Sequence, residues 1–224
     1  AEGEKVDDHT VTFTWAGNQA EMTYTCCLNK GTLSDWSSDT AVTLAYMDEG
    51  HYCFEVKGRY ASGVVEDTAA FRNYTIDDIH GPALGLSPRY QEVASGDTFT
   101  VEVMLEEVAN VFAVKVALEF DPAKLQVSQI EVYKDDHSLL EANGGTVIPF
   151  SKYDNAAGSA TIEVATAIGD PPGVDGTGAI AKITFTTTSS GSSLVSFTQA
   201  SALRDPENAD ITLNDLAEAK VEVR

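Results

Sequence analysis

Basic side chains are scarce in this chain: Lys and Arg total 14 against 35 Asp and Glu, a formal net charge of −21 over 224 residues. Nucleic-acid binding depends on clustered Lys and Arg that displace counterions from phosphates, so the composition argues against a nucleic-acid partner. The acids are not gathered into a tail. Residues 1–80 carry 14 acids and 5 bases, and residues 81–224 carry 21 and 9. Dispersed like charge of this kind keeps a surface solvated.

Long apolar runs are missing as well. No segment approaches the roughly 18–20 consecutive apolar residues of a membrane-spanning helix, and no charged and apolar leader opens the sequence. The expectation is a soluble segment without a membrane span, free to be part of a larger scaffold or surface protein. Catalytic signatures are equally absent: G-x-S-x-G, H-E-x-x-H, the P-loop and G-x-G-x-x-G do not occur. His9, His51, His80 and His137 stand in unrelated contexts, and Gly176-Thr177-Gly178 leads into a strand and reads as a turn. The chain is therefore read as non-catalytic.

Cysteine is sparse: Cys26, Cys27 and Cys53 are the whole complement. In the segment 22–28, Met22, Tyr24, Cys26 and Leu28 share one face of a strand and Cys27 takes the other. In 52–56, Tyr52, Phe54 and Val56 read as core, which turns Cys53 outward. If the two strands are neighbours, Cys27 and Cys53 are disulfide candidates, with three free thiols as the alternative; sequence alone does not fix connectivity. A metal site from Cys27, His51 and Cys53 lacks both the C-x-x-C spacing and a fourth ligand.

What the sequence does have is period-two alternation, the mark of strands buried on one face. In 97–105, Phe99, Val101, Val103 and Leu105 alternate with Thr98, Thr100, Glu102 and Met104. In 112–120, Phe112, Val114, Val116, Leu118 and Phe120 alternate with Ala113, Lys115, Ala117 and Glu119, and Asp121-Pro122 ends the run. Further strands are expected at 84–87, 124–133, 146–153, 159–167, 178–187, 193–197 and 216–223. One helical turn is expected within 135–145. Before this block, strands are expected at 11–15, 22–28, 41–46, 51–60 and 70–76, separated by turn residues, with residues 1–8 frayed. The segment 77–83, DDIHGPA, has acids, Gly-Pro and no periodicity, and reads as a linker. Two all-β domains follow, 1–80 and 81–224, the second a nine-stranded jelly-roll-like sandwich.

Two resemblances sharpen this. SGDTFTVEV followed by FAVKVALEFDPAKLQV, and later GVDGTGAIAKITFTTTSSGSSLVSF, resemble a cohesin domain, the receptor module that dockerins bind in cellulosome-type assemblies. FTWAG, YTCCLN and VTLAYMDEGHYCFEVKGRY resemble a fibronectin type III or immunoglobulin-like domain, with Trp15, Tyr52, Phe54 and Val56 at core positions. The first resemblance implies an extracellular or cell-surface protein-interaction module. It also implies a dockerin-containing partner whose own loops hold calcium, and a binding face on the strands at 112–120, 146–153, 159–167 and 193–198. The outward positions there are Ala113, Lys115, Ala117, Glu119, Thr161, Glu163 and Ala165, with Lys152 the exposed contact of its strand if Ile148 and Phe150 pack inward.

Three other readings compete. Asp205, Asn208, Asp210 and Asp215 cluster hard oxygen ligands in the segment 204–215 and make a candidate calcium loop, although without D-x-D-x-D-G spacing. No tightly bound cofactor is expected otherwise. A spacer role in a surface protein needs no dockerin. A carbohydrate-binding module usually presents exposed aromatics; both tryptophans, Trp15 and Trp36, lie in the first domain, which speaks against sugar binding by the second.

Overall fold

The computed structural model describes residues 3–134, 137–167 and 173–224. It divides into two compact units, Ala1–Asp78 and Ile79–Arg224. No helix among the described residues is long and apolar enough to cross a membrane.

Among the described residues the first unit has six strands: β1 (Glu4–Val6), β2 (Val11–Thr14), β3 (Thr23–Leu28), β4 (Ala41–Leu44), β5 (Gly50–Arg59) and β6 (Ala70–Ile76). They form a four-stranded sheet, β1-β6-β5-β3, and a β2-β4 pair. Phe54, Tyr74, Ile76 and Met47 are the buried centre, with Phe13, Trp15, Tyr52 and Val56 packed around them. Phe13 stacks on Phe54 at 4.0 Å between centroids. Burial holds the Tyr74 phenol well above its ordinary pKa. The expectation of a frayed start is overturned for residues 4–6. β1 pairs in parallel with β6, and Glu4 and Lys5 are ion-paired with Arg72 and Asp77.

The second unit contains β7 (Ala83–Ser87), β8 (Tyr90–Val93), β9 (Thr98–Val111), β10 (Ala113–Phe120), β11 (Leu125–Val132), β12 (Val147–Asp154) and β13 (Ser159–Thr166). After these come β14 (Val174–Thr187), β15 (Gly191–Phe197), β16 (Ala202–Arg204), β17 (Asp210–Ile211), β18 (Asp215–Ala217) and β19 (Ala219–Val223). One sheet runs β11-β14-β9-β7-β18. The other runs β12-β13-β10-β15-β19-β8, with β16 also on β10 and β17 on β16. The two make a sandwich whose filling is the alternation visible in the sequence. Val101, Val103 and Leu105 of β9, Ile183 and Phe185 of β14, and Val116 and Leu118 of β10 are all buried. Each such side chain contributes about 1.5–3 kcal/mol on leaving water.

The strands expected at nine places are all present, more finely divided. The expected last strand breaks at Glu218 into β18 and β19, which serve opposite sheets. Residues 79–83 are bound into the second unit and are not a loose linker: Ile79 packs with Ala83 and Ala217, and the His80 N–H donates to Asp215 Oδ2 at 2.9 Å. A 3₁₀ turn, Leu139–Glu141, lies in the stretch expected to hold a helical turn; its residues 135 and 136 lie outside those described. The β12–β13 hairpin closes on Gly158 (φ +66°), where a Cβ would come within 2.2 Å of the Phe120 carbonyl oxygen.

Candidate functional site

Register decides what the β12-β13-β10 surface presents. Residues directly opposite across an antiparallel pair share a face. β10 aligns Ala113 with Ala165, Lys115 with Glu163 and Ala117 with Thr161. β12 aligns Ile148 with Ala165, Phe150 with Glu163 and Lys152 with Thr161. On the other side of β10, Ala113 faces Arg204 and Lys115 faces Ala202, while Glu119 faces Ser196 of β15. The outer face is therefore a set of rows across the strands: Ile148–Ala165–Ala113–Arg204, then Phe150–Glu163–Lys115–Ala202, then Lys152–Thr161–Ala117. Ala113, Lys115, Ala117, Glu119, Lys152, Thr161, Glu163 and Ala165 all lie on this one face.

One expectation fails here. Ile148 and Phe150 do not pack inward; they are 62% and 55% exposed. They alternate in step with Lys152, so all three take the outer face. Only Val147 of β12 is buried, because this strand is the sheet's edge. The face therefore carries an exposed aromatic, which removes one of the grounds for preferring a protein partner over a sugar. What remains on that side is the mixed character of the surface. Ile148 and Phe150 wall a shallow hollow of about 390 Å³, floored by Ala113, Ala165 and Ala202 and flanked by Lys115, Glu163 and Arg204. Lys115 Nζ lies 3.5 Å from Glu163 Oε1. Arg204 is held by Asp210 at 2.9 Å and donates to the Asn208 carbonyl at 3.2 Å. Ile148, Phe150, Ala202 and Arg204 escaped sequence reasoning. The shared parity of 148, 150 and 152 was the signal for the first two. The short pairing of β16 on β10 left no periodicity to find.

The face is continuous across β10. β15 pairs with the end of β10 and β16 with its start; between them Ser201 Oγ accepts the Ala117 N–H at 3.1 Å. Backbone donors of the central strands are thus spent inside the sheet, and side chains alone are offered outward.

The calcium candidates do not form a ligand cluster. Asp205 Oδ1 accepts the Ala209 N–H at 2.7 Å, Asp210 is paired with Arg204, and Asp215 is on β18, bound to the His80 N–H. Asn208 sits at the turn with φ +63°. Each carboxylate has a structural partner of its own, and no group of three or more His, Cys, Asp or Glu side chains among the described residues is placed to hold a metal. This also dismisses the Cys27, His51 and Cys53 set, where His51 Nδ1 is 2.7 Å from Thr75 Oγ1.

The Cys27–Cys53 disulfide is likewise not formed, and all three cysteines are free thiols. β3 and β5 are neighbours, yet the register puts Glu55 opposite Cys27 and Asn73 opposite Cys53. The two thiols are diagonal, a spacing too long for the Cα separation of a disulfide. Partial burial and the nearby Glu55 carboxylate raise both thiol pKa values, so neither is an activated nucleophile.

The sequence pattern of the Cohesin domain matches residues 86–223. Among solved structures, the chain resembles a cohesin from Acetivibrio cellulolyticus, solved in complex with a dockerin and described as displaying a type I interaction. That protein is 19% identical over 62% of this chain and 98% of its own, with a TM-score of 0.50. A type I cohesin from Pseudobacteroides cellulosolvens is 13% identical over 63% and 91%, with a TM-score of 0.51. A non-cellulosomal cohesin from the hyperthermophilic archaeon Archaeoglobus fulgidus is 14% identical over 63% and 90%, with a TM-score of 0.50. At these identities the likeness speaks for the fold. No curated protein matches the chain.

Proposed function

The chain belongs to the cohesin domain family, and from that premise we propose that its second unit is a non-catalytic receptor for a dockerin-containing protein. The observation that carries the reading is the family match over residues 86–223, set on a solvent-open sheet face of small residues flanked by charges. Such a face suits a protein partner: small residues surround the paired Lys115 and Glu163, and Phe150 supplies an aromatic anchor. The binding residues are Ala113, Lys115, Ala117, Glu119, Lys152, Thr161, Glu163 and Ala165. Calcium belongs to the partner, since Asp205, Asp210 and Asp215 are each engaged by a structural partner. The first unit is read as a fibronectin type III or immunoglobulin-like domain, with the boundary near residue 80, and the whole as an extracellular or cell-surface piece of a multi-protein assembly.

The test is calorimetric titration of the full chain with calcium-loaded dockerins. Micromolar or tighter binding that is lost on chelating calcium is expected; a folded chain that binds none of them overturns the reading. Lys115→Glu replaces the cation paired with Glu163 by a second carboxylate and should weaken binding about tenfold. An unchanged affinity would reject this face.

A further inference from the structure

The first unit holds a hollow of its own, bounded by the end of β2, the start of β4 and the edge strand β3. Its volume is about 270 Å³; Trp15, Tyr24 and Val42 line its apolar side, and Asp35, Ser37 and Asp39 its polar side. The connection that carries the polar side is fastened to β3. Tyr24 and Ser37 exchange two backbone bonds at 2.6 and 2.9 Å, and the Ser34 N–H donates to the Cys26 carbonyl at 2.9 Å. The Thr25 hydroxyl donates to the Ser34 carbonyl at 2.6 Å. The polar wall is thus fixed before any ligand arrives.

One donor of this lining is left without an answer. The Trp15 Nε1–H is buried and has no acceptor among the described residues. A buried donor left unpaired is costly, and a phenylalanine would fill the same core without it. Two ring contacts hold the indole in place: it meets Tyr24 edge-on and Phe54 at a tilt, each at 6.0 Å between centroids. Acceptors, by contrast, are in excess. Asp39 Oδ2 takes the Ser37 hydroxyl at 2.5 Å and leaves the second oxygen open. The Asp35 carboxylate has no partner among the described residues.

We propose that this hollow binds a neutral, hydroxyl-bearing ring, the end of a saccharide chain. A hydroxyl meets both needs from one oxygen: it accepts the indole N–H and gives its own proton to a carboxylate. An ammonium has no lone pair for the indole, and an anion is repelled by Asp35 and Asp39. Tyr24 and Val42 supply apolar contact for the C–H faces of the ring. The volume admits one ring and not a long chain, since sites for larger ligands begin at about 300 Å³. The site lies wholly in the first unit and does not depend on the dockerin reading.

The experiment follows the two indole N–H signals in the nuclear magnetic resonance spectrum of the isotope-labelled full chain. Trp36→Phe identifies the signal of Trp15, and glucose, galactose and N-acetylglucosamine are added in turn. At least one sugar is expected to shift the Trp15 signal saturably, with a Kd of about 1 mM, as suits a small ligand held by a few hydrogen bonds. Methylammonium chloride and sodium acetate should leave the signal in place. Asp35→Asn, at an exposed position, should keep the fold and weaken sugar binding about three- to tenfold, because a charged acceptor becomes a neutral one. A folded chain whose Trp15 signal no sugar shifts overturns the proposal; the hollow then holds water alone. A shift with methylammonium and none with the sugars overturns it by making this a cation site. Equal sugar affinity in wild type, Asp35→Asn and Asp39→Asn also overturns it, since no carboxylate would then take the hydroxyl proton.

Discussion

The two sheets of the second unit bury the same kind of side chain and expose very different ones. Outside the β11-β14-β9 sheet, charges answer one another. Glu131 and Lys182 face each other and pair at 3.0 Å, Lys182 also faces Glu102, and the Tyr133 hydroxyl donates to Glu102 Oε1 at 2.5 Å. Outside the β12-β13-β10 sheet, Ile148 and Phe150 stand unshielded beside alanines. The inner alternation is a requirement of folding and is met identically by both sheets. The outer residues are free of it, and it is there that the two faces differ.

The largest test of this contrast removes what the faces share. Phe185 is fully buried and stacks on Phe99 at 5.3 Å while meeting Phe120 edge-on at 5.4 Å. Phe185→Ala should destabilise the second unit by about 3–5 kcal/mol in denaturant titration, with dockerin affinity intact at temperatures where the unit stays folded. A loss of affinity without unfolding would mean that core and face are not separable. Next in size is Gly158→Ala, which forces a Cβ onto the Phe120 carbonyl at a positive φ. Its cost should exceed about 1 kcal/mol, seen as a lowered denaturation midpoint; a neutral result would show that the β12–β13 hairpin is not fixed by this turn.

Smaller effects belong to the polar face. Tyr133→Phe deletes the bond to Glu102 and should cost about 1 kcal/mol without altering dockerin binding. Partial burial and the Glu102 carboxylate hold the Tyr133 phenol above its ordinary pKa. The folded state therefore keeps this proton longer than the unfolded chain, whose tyrosines titrate near pH ~10. The stability from this group is fully present below that pH and is lost as pH rises above it. Denaturation midpoints taken across that range should fall less steeply in Tyr133→Phe than in the wild type; parallel slopes would remove Tyr133 from the account. Lys182→Ala, which breaks an exposed pair, should change stability by less than about 1 kcal/mol and binding not at all. Any effect of it on dockerin affinity would place the partner on the wrong sheet.

Legibility followed the same division. Strands with one buried face announce themselves, as Phe99 to Leu105 and Val114 to Phe120 do, because burial forces alternation. β8, β16 and β17 span four, three and two residues, too few for a period to show. β1 was hidden for another reason: Glu4, Lys5 and Val6 join β6 through backbone bonds and ion pairs and bury almost nothing. β12 was seen as a strand, but its facing was misjudged by treating bulk as a guide to burial. Parity with Lys152 was the better guide, and it placed Phe150 outward. The thiols failed differently, since neighbouring strands were inferred correctly but a two-residue offset in register separates a bonded pair from a diagonal one. The acidic loop misled because a carboxylate count says nothing about which backbone N–H groups those carboxylates already serve.

The split of the last expected strand at Glu218 has a mechanical consequence. β19 lies parallel to β8, and β18 lies parallel to β7. The first and last strands of the unit are thus fastened to each other in both sheets. Tension entering at Ile79 and leaving at Arg224 pulls β8 and β19 in opposite directions along a shared axis. The bonds between them are loaded together in shear and do not peel one by one. A receptor hung between other modules would hold its shape under load.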